Sequence, residues 1–117
     1  MTSYVLLLYC QSDFKAEIGS LGFIFFRKGY YYYIGSAKSG MHRIKRHFSS
    51  RKRKRWHIDY ISTRMKIIGA IIFKEPECDL AKKFKNFEGI ERFGCTDCKC
   101  RSHLFYSPTI NLEFLST

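Results

Sequence analysis

The sequence predicts an α+β fold, a small mixed or antiparallel sheet flanked by helices, over a single domain spanning residues 1–117. Three observations predict it. Short apolar and aromatic runs of strand length recur at 4–9, 21–26, 30–34 and 66–73, while 41–48 and 76–87 carry apolar residues at helical spacing. No linker, internal repeat or low-complexity tract separates these segments, and the only prolines are Pro76 and Pro108. At 117 residues, 45% apolar and 17% aromatic, the chain can build one core but not two, and disorder is excluded.

Tyr4-Val5-Leu6-Leu7-Leu8-Tyr9 has the composition of a buried strand. The run has no basic leader, is too short to span a bilayer and is not followed by a small-residue cleavage site, so no membrane partner is expected. A polar connection over 11–20 precedes a second strand at Leu21 to Phe26. Arg27-Lys28-Gly29 is a turn signal, Tyr30 to Ile34 is an aromatic third strand, and so tight a link predicts a hairpin between the two. Ser39 and Gly40 open a helix whose Met41, Ile44 and Phe48 face the core, leaving His42, Lys45, Arg46 and His47 around the rest of its surface. His57 to Arg64 reads as a short second helix packing Ile58 and Ile61, and Lys66 to Phe73 as the next strand, with Gly69 inside it. Pro76 starts a helix to about Phe87, with Leu80, Ala81 and Phe84 inward and Glu75, Glu77 and Asp79 at its dipole-favoured start. From Gly89 to Leu104 the chain is irregular and Cys-rich, and Thr109 to Leu115 alternates as a closing strand.

Charge narrows the function. Of the net +11, the stretch from Lys38 to Lys66 carries +10, eleven Lys and Arg against Asp59 alone. A polyanion suits such a face, because each phosphate neutralised releases condensed counterions. Arg51-Lys52-Arg53-Lys54-Arg55 has no apolar stripe opposite its charges, which disfavours a membrane surface and favours nucleic acid. Lys38, Lys45, Arg46 and the run Arg51, Lys52, Arg53, Lys54 and Arg55 are the expected nucleic-acid contacts. Five cysteines, three of them crowded at Cys95, Cys98 and Cys100, fit reduced thiols in a cytoplasm better than a disulfide framework.

Tyr33-Ile34-Gly35, followed by Ser36-Ala37-Lys38 and by Arg43 eight residues after the glycine, resembles the second half of the GIY-YIG nuclease signature. Tyr4 stands at the tyrosine of the first half, with Thr2 where that family has glycine. Trp56-His57-Ile58-Asp59-Tyr60, Glu77-Cys78-x-Leu80-Ala81 and Phe93-Gly94-Cys95-x-Asp97-Cys98-x-Cys100-x-Ser102-His103-Leu104 extend the similarity over most of the chain. Together they resemble an archaeal and bacterial branch, domain of unknown function 123.

The resemblance implies a GIY-YIG nuclease-like fold and a metal-dependent endonuclease that hydrolyses phosphodiesters, DNA ahead of RNA, structure-selective as in repair or recombination. On it, Glu77 holds Mg²⁺ or Mn²⁺ by one oxygen, leaving positions for phosphate and water. The structural alternative for Glu77 is an acid answering the helix dipole. Arg43 pairs with phosphate oxygens through its planar fork, and His47, one turn on, projects from the same helix face. Tyr4 and Tyr33 are the paired tyrosines, one of them assisting deprotonation of water after its pKa is lowered by metal and arginine. His57 is placed as general base or as a residue holding one, against a capping or core role. Tyr30, Tyr31 and Tyr32 are assigned to sheet packing or base stacking, and His42 to surface.

Cys95, Cys98, Cys100 and His103 have the residue types for structural zinc at a spacing that departs from the usual knuckles. The alternative is a loop braced by small thiols, with His103 and Asp97 hydrogen-bonded or lining the active site. Against the enzyme stands a catalytically silent nucleic-acid-binding module on the same fold, kept open by Thr2. Under either reading, binding to nucleic acid is expected to weaken steeply as salt rises, which a fluorescence-anisotropy titration of labelled DNA at increasing NaCl measures.

Overall fold

Strand β1 (Ser3–Cys10) is buried along nearly all its length, which explains an apolar run without polar alternation: both of its faces meet a core. The computed structural model describes residues 2–38, 40–49, 53–95 and 98–116. Ser39, Arg51, Lys52 and Asp97, named from the sequence, lie outside them.

The elements follow as β2 (Phe14–Glu17), β3 (Phe23–Phe26), β4 (Gly29–Ser36), α1 (His42–His47), α2 (Asp59–Ser62), β5 (Lys66–Phe73), α3 (Glu77–Ala81), β6 (Glu88–Gly89) and β7 (Leu104–Ser107). Five strands form one antiparallel sheet in the order β5-β1-β4-β7-β6, and β2 pairs with β3 in a separate hairpin. The α+β expectation holds. In β5 the register against β1 slips between Leu7 and Leu8, next to Gly69, the strand glycine marking a bulge.

The two sheet faces carry two cores. Tyr4, Leu6 and Leu8 of β1 with Tyr31 and Tyr33 of β4 point to one side, covered by Ile44 of α1, Ile61 of α2 and Phe26 of the hairpin. Val5, Leu7, Tyr32 and Ile34 point to the other, covered by Leu80 of α3, Phe84 and Phe114. Here Phe84 stacks on Phe105 and Phe114 at centroid distances of 4.8 and 4.7 Å.

Several local expectations are corrected. The strand at 21–26 does not pair with the one at 30–34. Both edges of β4 are occupied, by β1 and by β7, so β3 turns away and pairs with Phe14–Glu17, a strand inside the segment read as a polar connection. Thr109 to Leu115 is not a strand. Tyr32 Oη accepts the Asn111 N–H at 2.8 Å, the Asn111 side chain accepts the Glu113 N–H at 2.9 Å, and Glu113–Leu115 closes as a 3₁₀ turn that buries Phe114. Met41 and Phe48 are exposed, at 42% and 57%, while Ile44 and His47 are buried: α1 is too short to carry the three-residue apolar stripe, and His47 replaces a flanking hydrophobe. The helix expected over 57–64 is one α-helical turn, and that over 76–87 is α-helical over Glu77–Ala81 and 3₁₀ over Lys82–Phe84. Among the described residues no helix is long and apolar enough to cross a membrane.

Gly35 of the signature has a steric role. It lies opposite Tyr4 in the β1–β4 register, and a Cβ on it would come within 2.3 Å of the Tyr4 Cζ and Oη. The Tyr4 ring is fully buried and cannot swing into solvent without opening the core. Gly35→Ala is expected to cost about 2 kcal/mol through overpacking, read as a lower urea midpoint at unchanged m-value.

Candidate active site

The β1–β4 register sets the centre of the site. With Tyr4 opposite Gly35, Tyr33 is its diagonal neighbour on the same face, and the two rings lie 6.5 Å apart. α1 crosses above them and inserts His47, whose Nε2 shares a 2.5 Å hydrogen bond with the Tyr4 hydroxyl. The His47 ring packs 5.5 Å from Tyr4 and 5.8 Å from Tyr33. Tyr4 and His47, 0% and 1% exposed, are thus a hydrogen-bonded pair behind the site and not in its mouth.

The mouth is a polar pocket of about 240 Å³, into which Tyr33, Arg43, Arg55, His57, Glu77 and His103 project. Four of the six sequence-assigned catalytic residues therefore meet in one cavity. Burial pushes both phenols, Tyr4 and Tyr33, far above the usual tyrosine range, and the pull of Arg43 in the other direction does not offset it. Arg43 alone therefore does not produce the lowering expected from metal and arginine together.

His57 is held by its neighbour loop. Its Nδ1 accepts the Gly94 N–H at 2.8 Å, so the neutral ring carries its proton on Nε2 and offers the pocket a donor. Burial lowers its pKa, which keeps it neutral at pH 7. Gly94 has φ +74°, and a Cβ there would stand 3.1 Å from the His103 Cβ, so glycine at this position serves both the turn and the close approach. In this geometry His57 suits binding an anion better than taking a proton from water.

Arg43 lies with its guanidinium 4.1 Å from the centre of the Trp56 ring, and its Nε is buried without a hydrogen-bond partner among the described residues. An anion in the pocket would supply one. Arg46, three residues on, also stacks on Trp56 at 4.5 Å. It forms a fork with the buried Asp59 carboxylate at 2.7 and 2.9 Å and donates to the Arg53 carbonyl at 2.7 Å, so its role is to anchor the basic loop from within. Lys38, Lys45, Arg53, Lys54 and Arg55 are exposed.

The metal-competent cluster differs from the sequence assignment. Among the described residues, the ligand atoms of Cys78, Cys98, Cys100 and His103 lie within 4.8 Å of one another. Cys95 is not in that set: its thiol is buried, donates to the Phe93 carbonyl at 3.5 Å, and is pushed up by burial and by the neighbouring Cys98 thiol. Cys78 was hidden because it precedes the others by some twenty residues and belongs to α3. Asp59 was also missed as a structural centre, although it is the one acid in the basic stretch. Glu77, beside Cys78, places Oε2 3.6 Å from His103 Nδ1.

The sequence profile of the family described as "Domain of unknown function DUF123" matches residues 3–115. The chain belongs to this family. No curated protein and no solved structure matches it. The DUF123 match takes in both buried tyrosines, Arg43, Glu77 and the whole cysteine cluster, so every part of the pocket lies within the family's own span.

The Asp59 anchor has a pH signature. Burial works to raise its pKa, but the Arg46 bond and the N–H groups of Trp56 and Arg55, at 2.9 and 2.8 Å, hold it below the ordinary carboxylate range. A depressed carboxylate stabilises the fold above its unfolded pKa, and that contribution is lost as pH falls through the folded value. Asp59→Asn is expected to cost about 3 kcal/mol at pH 7 and to flatten the stability loss of the wild type below about pH 4, as followed by urea unfolding across pH.

Proposed function

We propose that this chain is a metal-dependent endonuclease of the GIY-YIG type that hydrolyses phosphodiester bonds in DNA. One observation carries the reading: Arg43, Arg55, Tyr33 and His57 surround a single pocket with donors, next to one carboxylate, Glu77, beside the most basic stretch of the chain. A phosphodiester needs cations and N–H or O–H donors where negative charge builds in the transition state, and this cavity offers both. The Arg43 Nε, buried without a partner among the described residues, supplies a reason for the pocket to prefer an anion.

The residues also fit a hard divalent cation. Glu77 is the acid among the pocket-lining side chains, and its side chain is 34% exposed, so its carboxylate is accessible to a hydrated Mg²⁺ or Mn²⁺. Such a cation supplies Lewis-acid activation and a water more acidic than bulk water. The chain's own groups bind and orient: Arg43 and Arg55 hold the phosphate, Tyr33 and His57 donate to its oxygens, and Tyr4 with His47 fixes the floor beneath Tyr33. The exposed cations Lys38, Lys45, Arg53 and Lys54 bind flanking backbone phosphates without reading bases, which suits selection of DNA by shape.

A second reading has a specific observation in its favour. His57 presents Nε2–H and burial favours the protonated form of both phenols, so cations and donors outnumber acceptors in the pocket, which suits a binding module that does not cut. Cleavage of labelled single-stranded, duplex, bubble and flap DNA, with matched RNA, in Mg²⁺, Mn²⁺ or chelator separates the two. Wild type is expected to cut only with the cation. Arg43→Lys is expected to lose about 10²–10³-fold in rate, and Glu77→Gln at least as much, while both still bind. Undiminished cutting by Glu77→Gln excludes the assignment, and salt-sensitive binding by a wild type that never cuts establishes the binding module.

A further inference from the structure

We infer that Cys78, Cys98, Cys100 and His103 form a closed Cys₃His zinc site that fastens α3 to the loop before β7. It does not rest on the nuclease reading: Cys78, Cys98 and His103 also line that pocket, but the inference is read by metal content.

The four ligand atoms, all within 4.8 Å of one another, are brought together by two parts of the fold far apart in sequence. Cys78 comes from the first turn of α3, and the other three from the connection between β6 and β7. Tetrahedral zinc with bonds of about 2.3 Å to sulfur and about 2.0 Å to nitrogen sets ligand-to-ligand edges of roughly 3.5–3.8 Å. Cys98 Sγ and His103 Nε2 already stand 3.6 Å apart. Cys78 Sγ and Cys100 Sγ, at 2.7 Å, are inside that edge and well outside the roughly 2.05 Å of a disulfide bond. One edge already matches, the Cys78–Cys100 edge must open by about 1 Å, and all four ligand atoms lie within 4.8 Å of one another, close to the span of a tetrahedral site.

Two neighbours prepare the cluster for a metal. Glu77 Oε2 faces His103 Nδ1 at 3.6 Å, which favours the proton on Nδ1 and leaves the Nε2 lone pair toward the sulfurs. A carboxylate behind a ligating histidine is the usual support of a zinc ligand. Arg92 donates to the carbonyls of Cys95, Cys98 and Cys100 at 2.6, 3.3 and 3.2 Å, wrapping the loop around a guanidinium. Three thiolates and one imidazole on Zn²⁺ leave a net charge of −1, and Arg92 offsets it. Four protein ligands leave no open position, so the ion is structural and activates no water itself. Its effect on the pocket is positional: Cys78 adjoins Glu77 in α3, and His103 Nδ1 lies 3.6 Å from the Glu77 carboxylate.

The full-length chain, purified without chelator and analysed by plasma mass spectrometry, is expected to carry one zinc per chain. Cobalt substitution is expected to give the visible bands of tetrahedral Co²⁺ with sulfur-to-cobalt charge transfer. Cys78→Ser is expected to bind zinc at least tenfold more weakly in a chelator competition, with Cys10→Ser unchanged. Should Cys78→Ser fail to fold, mercurial titration of the wild type substitutes for it: one zinc is expected to leave as the cluster thiols are modified. Absence of both zinc and tetrahedral cobalt overturns the inference. So does a Cys78–Cys100 disulfide found by peptide mass mapping of protein handled under reducing conditions, or zinc lost from Cys95→Ser and retained by Cys78→Ser. Loss of DNA cleavage alone bears on the nuclease reading and not on this one.

Discussion

The pairing of β1 with β4, in the register that sets Tyr4 against Gly35, is the constraint on which the rest depends. Only a residue without a side chain leaves room for the Tyr4 ring, and with the ring seated, Tyr33 falls on the same face two residues away. A slip by one residue would put Tyr4 and Tyr33 on opposite faces of the sheet and break up the pair under α1. The sheet's flanks then follow. β1 and β4 are buried on both faces, so α1 and α2 with the hairpin must cover one side, and α3 with the C-terminal turn the other. Because α3 lies on the face away from the tyrosines, Glu77 and Cys78 enter the pocket from the end of the sheet and not across it.

Desolvation, more than charge pairing, decides the chemistry of the site. A chain carrying +11 would be expected to depress the pKa of every acidic hydroxyl near its basic stretch. The opposite holds for Tyr4 and Tyr33, because removing a phenolate from water costs more than one nearby guanidinium returns. Asp59 shows the complementary case. It is as deeply buried, yet a forked arginine and two backbone N–H groups satisfy it, so it stays ionised and holds the base of the cationic loop. One buried negative charge thus organises a surface whose outward groups are positive.

Much of this was legible in the sequence, and the limits have physical causes. β1, β4 and β5 are strand-length apolar or aromatic runs bounded by turn or polar residues, which marks them without any alternation. The short pieces were not legible: Phe14–Glu17 is half polar because its hairpin is half exposed, and Thr109–Leu115 alternates for packing and not for pairing. Tyr33, Arg43, His57 and Glu77 were assigned from motif positions and do share a pocket. What the motif could not convey was depth, which puts Tyr4 and His47 behind the cavity, or the Gly94 N–H that orients His57. The cluster ligands misled for a different reason. Spacing along the chain ranked Cys95 above Cys78, but the fold turns the Cys95 thiol inward and brings α3 to the loop.

The chain has a single tryptophan, and the fold puts it at the wall of the pocket with two guanidinium groups within 4.5 Å of its ring centre. Those cations make the indole an optical gauge of the cavity. An anion that draws Arg43 away from the ring changes the field across the indole, shifting its emission without any label or turnover. Arg46, tied to Asp59, stays in place and sets the baseline, so the signal belongs to one arginine. The molecule therefore contains its own spectroscopic assay for pocket occupancy, usable even for ligands that are never transformed.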